Sequence, residues 1–225
     1  MTHCIIKPDG SKCWYWRGIL HRKGDKPAVI KPDGSKYWYW RGILHRKGDK
    51  PAVIDVFGSK RWYWRGNLHR EGNKPAEIGF LGTKKWYWHG SLHRDGDKPA
   101  VIIPSGWMLI GAKKWCWYGK LHRTGDKPAV IMNNGTKKWY WRGKLHRDND
   151  PAVISHNNVY EYYWHGVKCS KSELIIKKRE IPRLLLAVFM RNRSKLLEKR
   201  KGSVNYNVYV SLSRMCFAEI LKQLS

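Results

Sequence analysis

Hydrophobic and polar positions alternate in a short aromatic segment that recurs along most of the chain. One copy is SKYWYW at Ser35–Trp40. Because successive side chains of a strand point to opposite faces, Trp38 and Trp40 share one face, and Tyr37 and Tyr39 share the other. Aromatic residues are also typical of strands. The pattern therefore predicts a β-strand with one tryptophan face and one tyrosine face.

The aromatic segment belongs to a sequence repeat, which the tripeptide Leu-His-Arg marks once per period. Its histidines are His21, His45, His69, His93, His122 and His146. Their numbers differ by 24 at every step except from His93 to His122, where the apolar insertion PSGWMLIG around Trp107 lengthens the step to 29. A seventh copy, YEYYWHGVKCS, has lost the tripeptide, as suits a terminal repeat. Near-identical short units of this kind predict a solenoid.

Two turns divide each period into two strands. Asp33-Gly34 is a strong hairpin signal, and Arg41-Gly42 marks the other turn. The second strand, ILHRKGDKPAVI, must bend before Pro51, because proline has no N–H to donate to a ladder. We therefore expect a mainly β fold, a solenoid of stacked antiparallel β-hairpins that rises about 9.5 Å per repeat.

The tryptophans are the largest apolar side chains available to form a core. A buried indole removes about 150–250 Å² from water, whereas Leu44, Val53 and Ile54 are the main other apolar side chains of a repeat. We therefore expect the columns of Trp38 and Trp40 to face inward, with tyrosines and cations outside. The alternative is an exposed platform of indoles on which bases stack.

Charge favours an anionic partner. The chain carries 45 Lys or Arg and 17 Asp or Glu, a net charge of +28. The part up to Gly166 holds 31 of the basic and 13 of the acidic side chains, and the part from Val167 to Ser225 holds the other 14 and 4. Both parts are thus basic, which favours nucleic acid or another polyanion, or acidic lipid.

Cysteine usage and apolar runs limit the compartment. The five cysteines are odd in number and contain no Cys-x-x-Cys pair, which indicates free thiols and a reducing intracellular compartment, host cytoplasm or nucleus. The N-terminus lacks the apolar run of a secretory signal, and no run approaches the ~20 residues that a membrane span needs. We expect a protein that is neither secreted nor membrane-spanning.

The expected outer face carries the candidate anion-binding residues. They are Tyr15, Arg17, Tyr39, Arg41, Arg61, Tyr63, Arg65, Lys85, Tyr87, Lys114, Lys138, Tyr140 and Arg142. A rise of about 9.5 Å would pass five or six duplex phosphates per repeat, so binding would be electrostatic, without base readout. The alternative is a solvated face whose cations keep sheet edges from pairing with another chain.

The histidine column predicts neither catalysis nor metal binding. A catalytic site is normally built once, from distinct residues, whereas here each candidate group is copied in every repeat. No nucleophile elbow, phosphate-binding loop or zinc spacing is present. We expect no enzymatic activity, no metal, no cofactor and no small-molecule substrate. The histidines are expected to close the bends, against Asp25, Asp49, Asp97 and Asp126.

A different pattern follows Gly166. The segment from Pro182 to Gly202 predicts a helix, SVNYNVYVSL a strand, and Ser213 to Leu224 a short helix. The domains are thus a solenoid at 1–166 and a small, basic α/β cap or docking module at 167–225. The cationic candidates of the helix are Arg191, Arg193, Lys195, Lys199, Arg200 and Lys201. They form either its solvated side, a nuclear address, or a contact to nucleic acid or acidic lipid.

The repeats resemble a known family. WYWRGKLHR, from Trp139 to Arg147, is similar to the degenerate MORN-type repeat W-Y-x-N-G-K-L-H-R, which is abundant in large DNA viruses, phages and some bacteria. The likeness spans Ile6 to Gly166. It implies a β-hairpin solenoid that serves as a scaffold or binding surface without enzymatic activity, in a virion or an infected cell.

The leading hypothesis is a non-enzymatic repeat scaffold that binds an anionic partner, most of all nucleic acid, without sequence specificity. Two alternatives stay open. The first is a virion structural protein that contacts capsid or other virion proteins. The second is peripheral binding to an acidic membrane.

Overall fold

The computed structural model describes residues 2–106 and 110–180. The chain divides into two compact units, Met1–Cys169 and Ser170–Ser225. Trp107, the helices and strand expected beyond residue 181, and the six candidate cations from Arg191 to Lys201 lie outside the described residues.

The first unit is built from short strands. In chain order they are β1 (His3–Ile6), β2 (Lys12–Trp16), β3 (Ile19–Leu20), β4 (Val29–Ile30), β5 (Lys36–Tyr37), β6 (Tyr39–Trp40), β7 (Ile43–Leu44), β8 (Val53–Ile54), β9 (Lys60–Arg61), β10 (Tyr63–Trp64), β11 (Asn67–Leu68), β12 (Glu77–Ile78), β13 (Lys84–Lys85), β14 (Tyr87–Trp88), β15 (Ser91–Leu92), β16 (Val101–Ile103), β17 (Ala112–Lys114), β18 (Cys116–Trp117), β19 (Lys120–Leu121), β20 (Val130–Met132), β21 (Lys137–Lys138), β22 (Tyr140–Trp141), β23 (Lys144–Leu145), β24 (Val153–Ile154), β25 (Tyr160–Trp164) and β26 (Val167–Cys169). A complete inner period contributes four strands, as β5 to β8 illustrate.

Two strands of each period enter one long antiparallel sheet. Its order is β1-β2-β4-β5-β8-β9-β12-β13-β16-β17-β20-β21-β24-β25-β26. Tyr37 pairs with Val29 on one side and with Val53 on the other. Every period thus lengthens the sheet by two strands, and the predicted mainly β fold of stacked antiparallel hairpins is confirmed.

The other two strands of a period form a separate small hairpin. In β6 and β7, Tyr39 pairs with Leu44, and Trp40 pairs with Ile43. The turn glycine, Gly42, donates its N–H to the carbonyl of Leu20 in the preceding repeat over 2.9 Å. A Cβ at Gly42 would lie 2.8 Å from Cγ2 of Ile19, and its φ is +79°, so glycine is required here.

In the inner repeats each of the two predicted strands is divided, which the alternation pattern does not predict, whereas β2 and β25 are unbroken. Trp38 separates β5 from β6, and residues 45–52 separate β7 from β8. The N–H of Trp38 donates to the carbonyl of Ala52 over 2.8 Å, and its carbonyl accepts from the N–H of His45 over 3.1 Å. Residues 45–52, the bend segment, therefore fold back over Trp38.

Only one of the two tryptophan columns is buried, which corrects the expectation that both face inward. Trp38 is 7% exposed, but Trp40 is 42% exposed. The cause is the bend segment, since Arg46 stacks its guanidinium 3.9 Å from the ring centre of Trp38 and leaves Trp40 uncovered. The buried column comprises Trp38, Trp62, Trp86, Trp115 and Trp139, and the exposed column Trp40, Trp64, Trp88, Trp117 and Trp141.

The arginine of Leu-His-Arg joins consecutive repeats. Arg46 donates through Nε and Nη2 to both carboxylate oxygens of Asp25 in the preceding repeat, over 2.6 and 3.1 Å. Its Nη1 donates to the carbonyl of Pro51 over 3.2 Å. Hydrogen bonds from Arg46 and Lys50 hold the pKa of Asp25 well below its usual range. Arginines, rather than the expected histidines, thus contact Asp25, Asp49, Asp97 and Asp126.

The histidines pack between repeats instead. The ring of His21 meets that of Trp40 in the next repeat edge to face, with centroids 4.7 Å apart. Burial lowers the pKa of His21, His45, His69 and His122. These imidazoles therefore stay neutral near physiological pH, and each packs edge to face against the exposed indole of the next repeat.

The bend segment adopts two different conformations, although its sequence is the same in both copies. The nonapeptide RKGDKPAVI occurs at 22–30 and again at 46–54. In the first copy Asp25 has a φ of +53°, and its carbonyl accepts from Nε1 of Trp38 over 3.1 Å. In the second, the N–H of Lys50 donates to the carbonyl of Gly48 over 2.8 Å, and Nε1 of Trp62 has no partner among the described residues.

The described part of the second unit is one helix, α1, at residues 171–180. Its start is a capping box. The N–H of Ser170 donates to Oε2 of Glu173 over 2.7 Å, and the N–H of Glu173 donates to Oγ of Ser170 over 3.2 Å. Across the described ranges, helical segments lack the length and apolar character that a membrane span requires.

Candidate nucleic-acid interface

Six lysines form a regular row on one face of the long sheet. Lys36 lies between Ile30 and Ile54 on the neighbouring strands, and the other members hold equivalent positions. The lysine row is Lys12, Lys36, Lys60, Lys84, Lys113 and Lys137, all exposed. Among the described residues none of the six forms a salt bridge. The row therefore offers one unpaired cation per repeat, about 9.5 Å from the next.

A second row follows the tips of the small hairpins. It consists of the second tryptophan of each repeat and the turn residue after it. The Trp–Arg row is Trp16-Arg17, Trp40-Arg41, Trp64-Arg65, Trp88-His89, Trp117-Tyr118, Trp141-Arg142 and Trp164-His165. Each hairpin thus presents an indole beside a cationic or aromatic side chain.

Backbone strain marks the turn positions of this row. Arg41 has a φ of +48°, and all seven turn residues have positive φ. Asn, Asp or Gly suit this turn position best, because other residues pay roughly 1–2 kcal/mol there. The chain nevertheless holds four arginines, two histidines and one tyrosine at these turns. Strain that recurs with cationic or aromatic side chains indicates that the side chains themselves are needed.

Cations and clefts lie beside the exposed indoles. The guanidinium of Arg17 lies 4.8 Å from the ring centre of Trp16, and Nζ of Lys47 lies 5.0 Å from that of Trp40. Between consecutive hairpins, a cleft of about 250 Å³ is lined by Trp40, Ile43, His45, Trp64 and Arg65. The row therefore combines flat aromatic surfaces, positive charge and a recess next to them.

Four aspartates, Asp25, Asp49, Asp97 and Asp126, pair with cations of the next repeat. Asp25 contacts Arg46 and Lys50, and Asp49 contacts Arg70 and Lys74 in the same way. Because these carboxylates are held by cations of the next bend segment, they do little to offset the field of the two exposed rows.

The expected tyrosine ribbon lies on the core side of the sheet, which corrects the prediction that it faces solvent. Tyr39 pairs with the half-buried Leu44 and is itself half-buried, as are Tyr15, Tyr63, Tyr87 and Tyr140. Burial raises the pKa of Tyr39, Tyr63 and Tyr140. For Tyr87, burial and the nearby Glu77 raise the pKa to about 12. Because cross-strand partners share a face, the tyrosines lie on the same face as Leu44 and Val53.

The other sequence-predicted candidates divide between the two sides. Arg17, Arg41, Arg65 and Arg142 are exposed and belong to the Trp–Arg row. Arg61, Lys85, Lys114 and Lys138 are half-buried on the tyrosine side. There Arg61 pairs with Asp55 over 3.4 Å, and Lys85 with Glu77 over 2.9 Å.

The lysine row was not among the candidates predicted from the sequence. The signal was the pair Lys113-Lys114 and its equivalent Lys137-Lys138, in which consecutive side chains of a strand must point to opposite faces. Lys113 and Lys137 are exposed, and Lys114 and Lys138 are half-buried. The choice between the two faces depended on the bend segment, which the alternation pattern does not reveal.

No cluster of three or more His, Cys, Asp or Glu arranged to hold a metal ion occurs in residues 2–106 and 110–180. No protein-family model matches the chain, and no curated protein is similar to it. The resemblance to MORN-type repeats therefore stays a prediction, and the geometry of the two exposed rows is the basis for inferring function.

Proposed function

We propose that this protein is a non-enzymatic repeat scaffold that binds nucleic acid without sequence specificity. The observation that carries the proposal is that both rows are exposed and recur in the inner repeats, and strand alternation assigns them to one side of the solenoid. Lys36, Trp38 and Trp40 alternate with Tyr37 and Tyr39, so the lysine row and the Trp–Arg row flank the bend segment that covers Trp38. A linear polyanion laid along the solenoid meets cations in every repeat.

Repetition of the same cation in the described repeats supports binding without sequence specificity. The same lysine recurs at each period, so every repeat offers the same contact, whatever base pair lies beneath it. Such contacts bind phosphates and depend strongly on salt. The MORN-type resemblance agrees with a scaffold role and suggests a virion or infected-cell setting.

The test uses two matched double variants. Lys113→Gln with Lys137→Gln removes two exposed cations, and Lys114→Gln with Lys138→Gln removes two half-buried cations one position away, at equal net charge. Affinity for a duplex is measured across salt concentrations of about 50 to 200 mM. The wild type should weaken steeply as salt rises, and the first variant should lower the salt slope by about 1 per lysine.

The second double variant should leave the salt slope near that of the wild type. Equal effects of the two variants would contradict the assignment of the binding side. No binding at low salt would contradict nucleic-acid binding altogether.

Protein–protein assembly is a second candidate, favoured by an apolar patch at the turns. Val56, Phe57, Phe80 and Leu81 are 43–68% exposed, and the rings of Phe57 and Phe80 lie 5.9 Å apart. The same turn in another repeat is the polar Lys31–Ser35. In this role copies of the chain associate through the patch, as in a structural protein of a particle. Sedimentation at high salt should detect the association, and Phe57→Ser with Phe80→Ser should abolish it; a wild type that stays monomeric contradicts it.

A further inference from the structure

We infer that the Trp–Arg row binds single-stranded nucleic acid by stacking bases on its exposed indoles. The inference rests on the proposed function, because it assigns a strand type to the same side of the solenoid. Five indoles of the row are 38–56% exposed, a large apolar area for a protein of net charge +28. Every base has an aromatic face, so an indole accepts any base without reading its identity.

A cleft between two neighbouring hairpins gives a base a place. Trp40 and Trp64 line the walls of the cleft of about 250 Å³, and Arg65 lies at its edge. His45 contacts the ring of Trp64 edge to face, with centroids 5.3 Å apart, which fixes the indole. A base that enters here stacks on a ring already held in place, and its phosphate lies within reach of a turn arginine.

At two neighbouring hairpins of the Trp–Arg row, a histidine or a tyrosine takes the place of the turn arginine. His89 stacks on His69 and Tyr118 stacks on His93, with centroids 4.7 and 4.5 Å apart and nearly parallel planes. At these two hairpins the turn residue extends the aromatic surface instead of adding a guanidinium. Stacking surface therefore continues through the middle of the row, where the turn cations are interrupted.

Repeat spacing favours a single strand over a duplex. Adjacent phosphates of one strand in a duplex are about 3.4 Å apart along the axis, and the repeats rise by about 9.5 Å. Duplex bases are already stacked on one another, so their faces cannot meet the indoles. An unstacked single strand can extend and place bases on successive exposed indoles, with the intervening nucleotides near the cations.

The experiment compares Trp64→Ala and Trp88→Ala with Phe57→Ala, which removes an exposed aromatic side chain outside the Trp–Arg row and its cleft. Affinities for a single-stranded oligonucleotide and for a duplex of mixed sequence are measured at one salt concentration. Each tryptophan variant should weaken single-strand binding about 5- to 150-fold and leave duplex binding unchanged. Phe57→Ala should bind both like the wild type, and Trp64→Tyr should restore most of the single-strand affinity.

Fluorescence of the wild type provides a readout that does not depend on the folding of variants. Saturation with the single strand should quench tryptophan emission, and the duplex should quench it far less. Equal affinity for the two strand types, with no effect of the tryptophan variants and no selective quenching, would overturn the inference while the proposed function stands. Failure to bind either strand at low salt would instead remove the proposed function.

Discussion

At the scale of single residues, two tryptophans two positions apart have opposite roles. Trp62 is 7% exposed under the guanidinium of Arg70, whereas Trp64 is 42% exposed. The difference arises because the arginine of the bend segment stacks on the first indole, as Arg46 does on Trp38, whereas Trp40 stays 42% exposed although Lys47 approaches its ring. Sequence alternation places both on one face correctly, but it cannot tell which of them a distant loop will cover.

Replacing the buried indole should destabilise the fold far more than replacing the exposed one. Trp62→Ala removes a ring that Ala52 and Ala76 cannot replace, and the free energy of unfolding should fall by about 3–5 kcal/mol. Trp64→Ala should cost less than half of that. Urea unfolding followed by circular dichroism measures both, and equal losses would contradict the assignment of the two columns.

The arginine of the tripeptide should not tolerate lysine. Arg70 donates to Asp49 and to the carbonyl of Pro75, and it stacks 3.8 Å from the ring centre of Trp62. Lysine supplies neither the planar stack nor the paired donors, so Arg70→Lys should lower the free energy of unfolding by about 1.5–3 kcal/mol.

The matched control is Arg65→Lys at an exposed turn, where the backbone conformation and charge are unchanged. It should leave stability close to that of the wild type. A similar loss in both variants would show that the bidentate contact and the stack do not set the importance of Arg70.

The two bend conformations should be visible at the indole N–H groups. Nε1 of Trp38, Trp86 and Trp139 donates to a carbonyl of the preceding repeat, whereas Nε1 of Trp62 and Trp115 lacks such a bond in the described part of the chain. Hydrogen exchange measured by ¹⁵N NMR should be slow for the first three and faster for the other two. Uniform protection of all five would contradict two distinct bends.

At the scale of elements, the repeat period was the most reliable information in the sequence. The constant step from one Leu-His-Arg to the next, as from His21 to His45, and the two turns led to the stacked antiparallel hairpins. The division of each predicted strand was not foreseen, because Trp38 breaks the ladder through tertiary contacts with residues 45–52 rather than through any turn residue. The cap of helix α1 was readable from Ser170 and Glu173, which form an S-x-x-E signature, but it went unrecognised.

Removing a whole period should leave a folded protein. A deletion of Ile30–Val53 keeps the phase of the repeats, since each repeat contacts mainly its neighbours. Cooperative unfolding should persist, with a smaller dependence on denaturant because less surface is exposed. A deletion of half a period, Ile30–Arg41, breaks the register and should abolish folding; if the full-period deletion unfolds as well, the stacking scheme is wrong.

At the scale of the whole molecule, histidine burial should make stability depend on pH. Burial lowers the pKa of His21, His45, His69 and His122 from the usual value near 6.5. Below that value the unfolded chain binds protons that the folded chain does not, so the free energy of unfolding should be full above about pH 6.5 and fall as the pH decreases towards 5.

The paired aspartates do not mask the effect of the histidines on stability between about pH 5 and 6.5. Hydrogen bonds from arginine and lysine hold the pKa of Asp25, Asp49 and Asp97 far below 3.8, so their contribution is lost only in stronger acid. Denaturant unfolding at pH 8, 6.5 and 5 measures the effect, and a constant free energy of unfolding across these values would contradict it.

The net charge predicted a nucleic-acid partner, but it did not predict which surface of the solenoid binds that partner. Net charge and periodicity predicted a basic surface with copied contacts. The size of the indoles favours a core built from both tryptophan columns, whereas the structure buries one column and leaves the tyrosines half-buried on the face of Leu44 and Val53. Of the predicted candidates in the described residues, the turn arginines lie on the surface that the geometry favours.

Quenching of tryptophan emission by neutral acrylamide tests most directly whether the solenoid buries one indole column and exposes the other. Two populations of comparable size are expected, one protected and one accessible. Trp62→Phe should reduce the protected population, and Trp64→Phe the accessible one. A single population, whether protected or accessible, would contradict the division of the two columns and with it the surface proposed to bind nucleic acid.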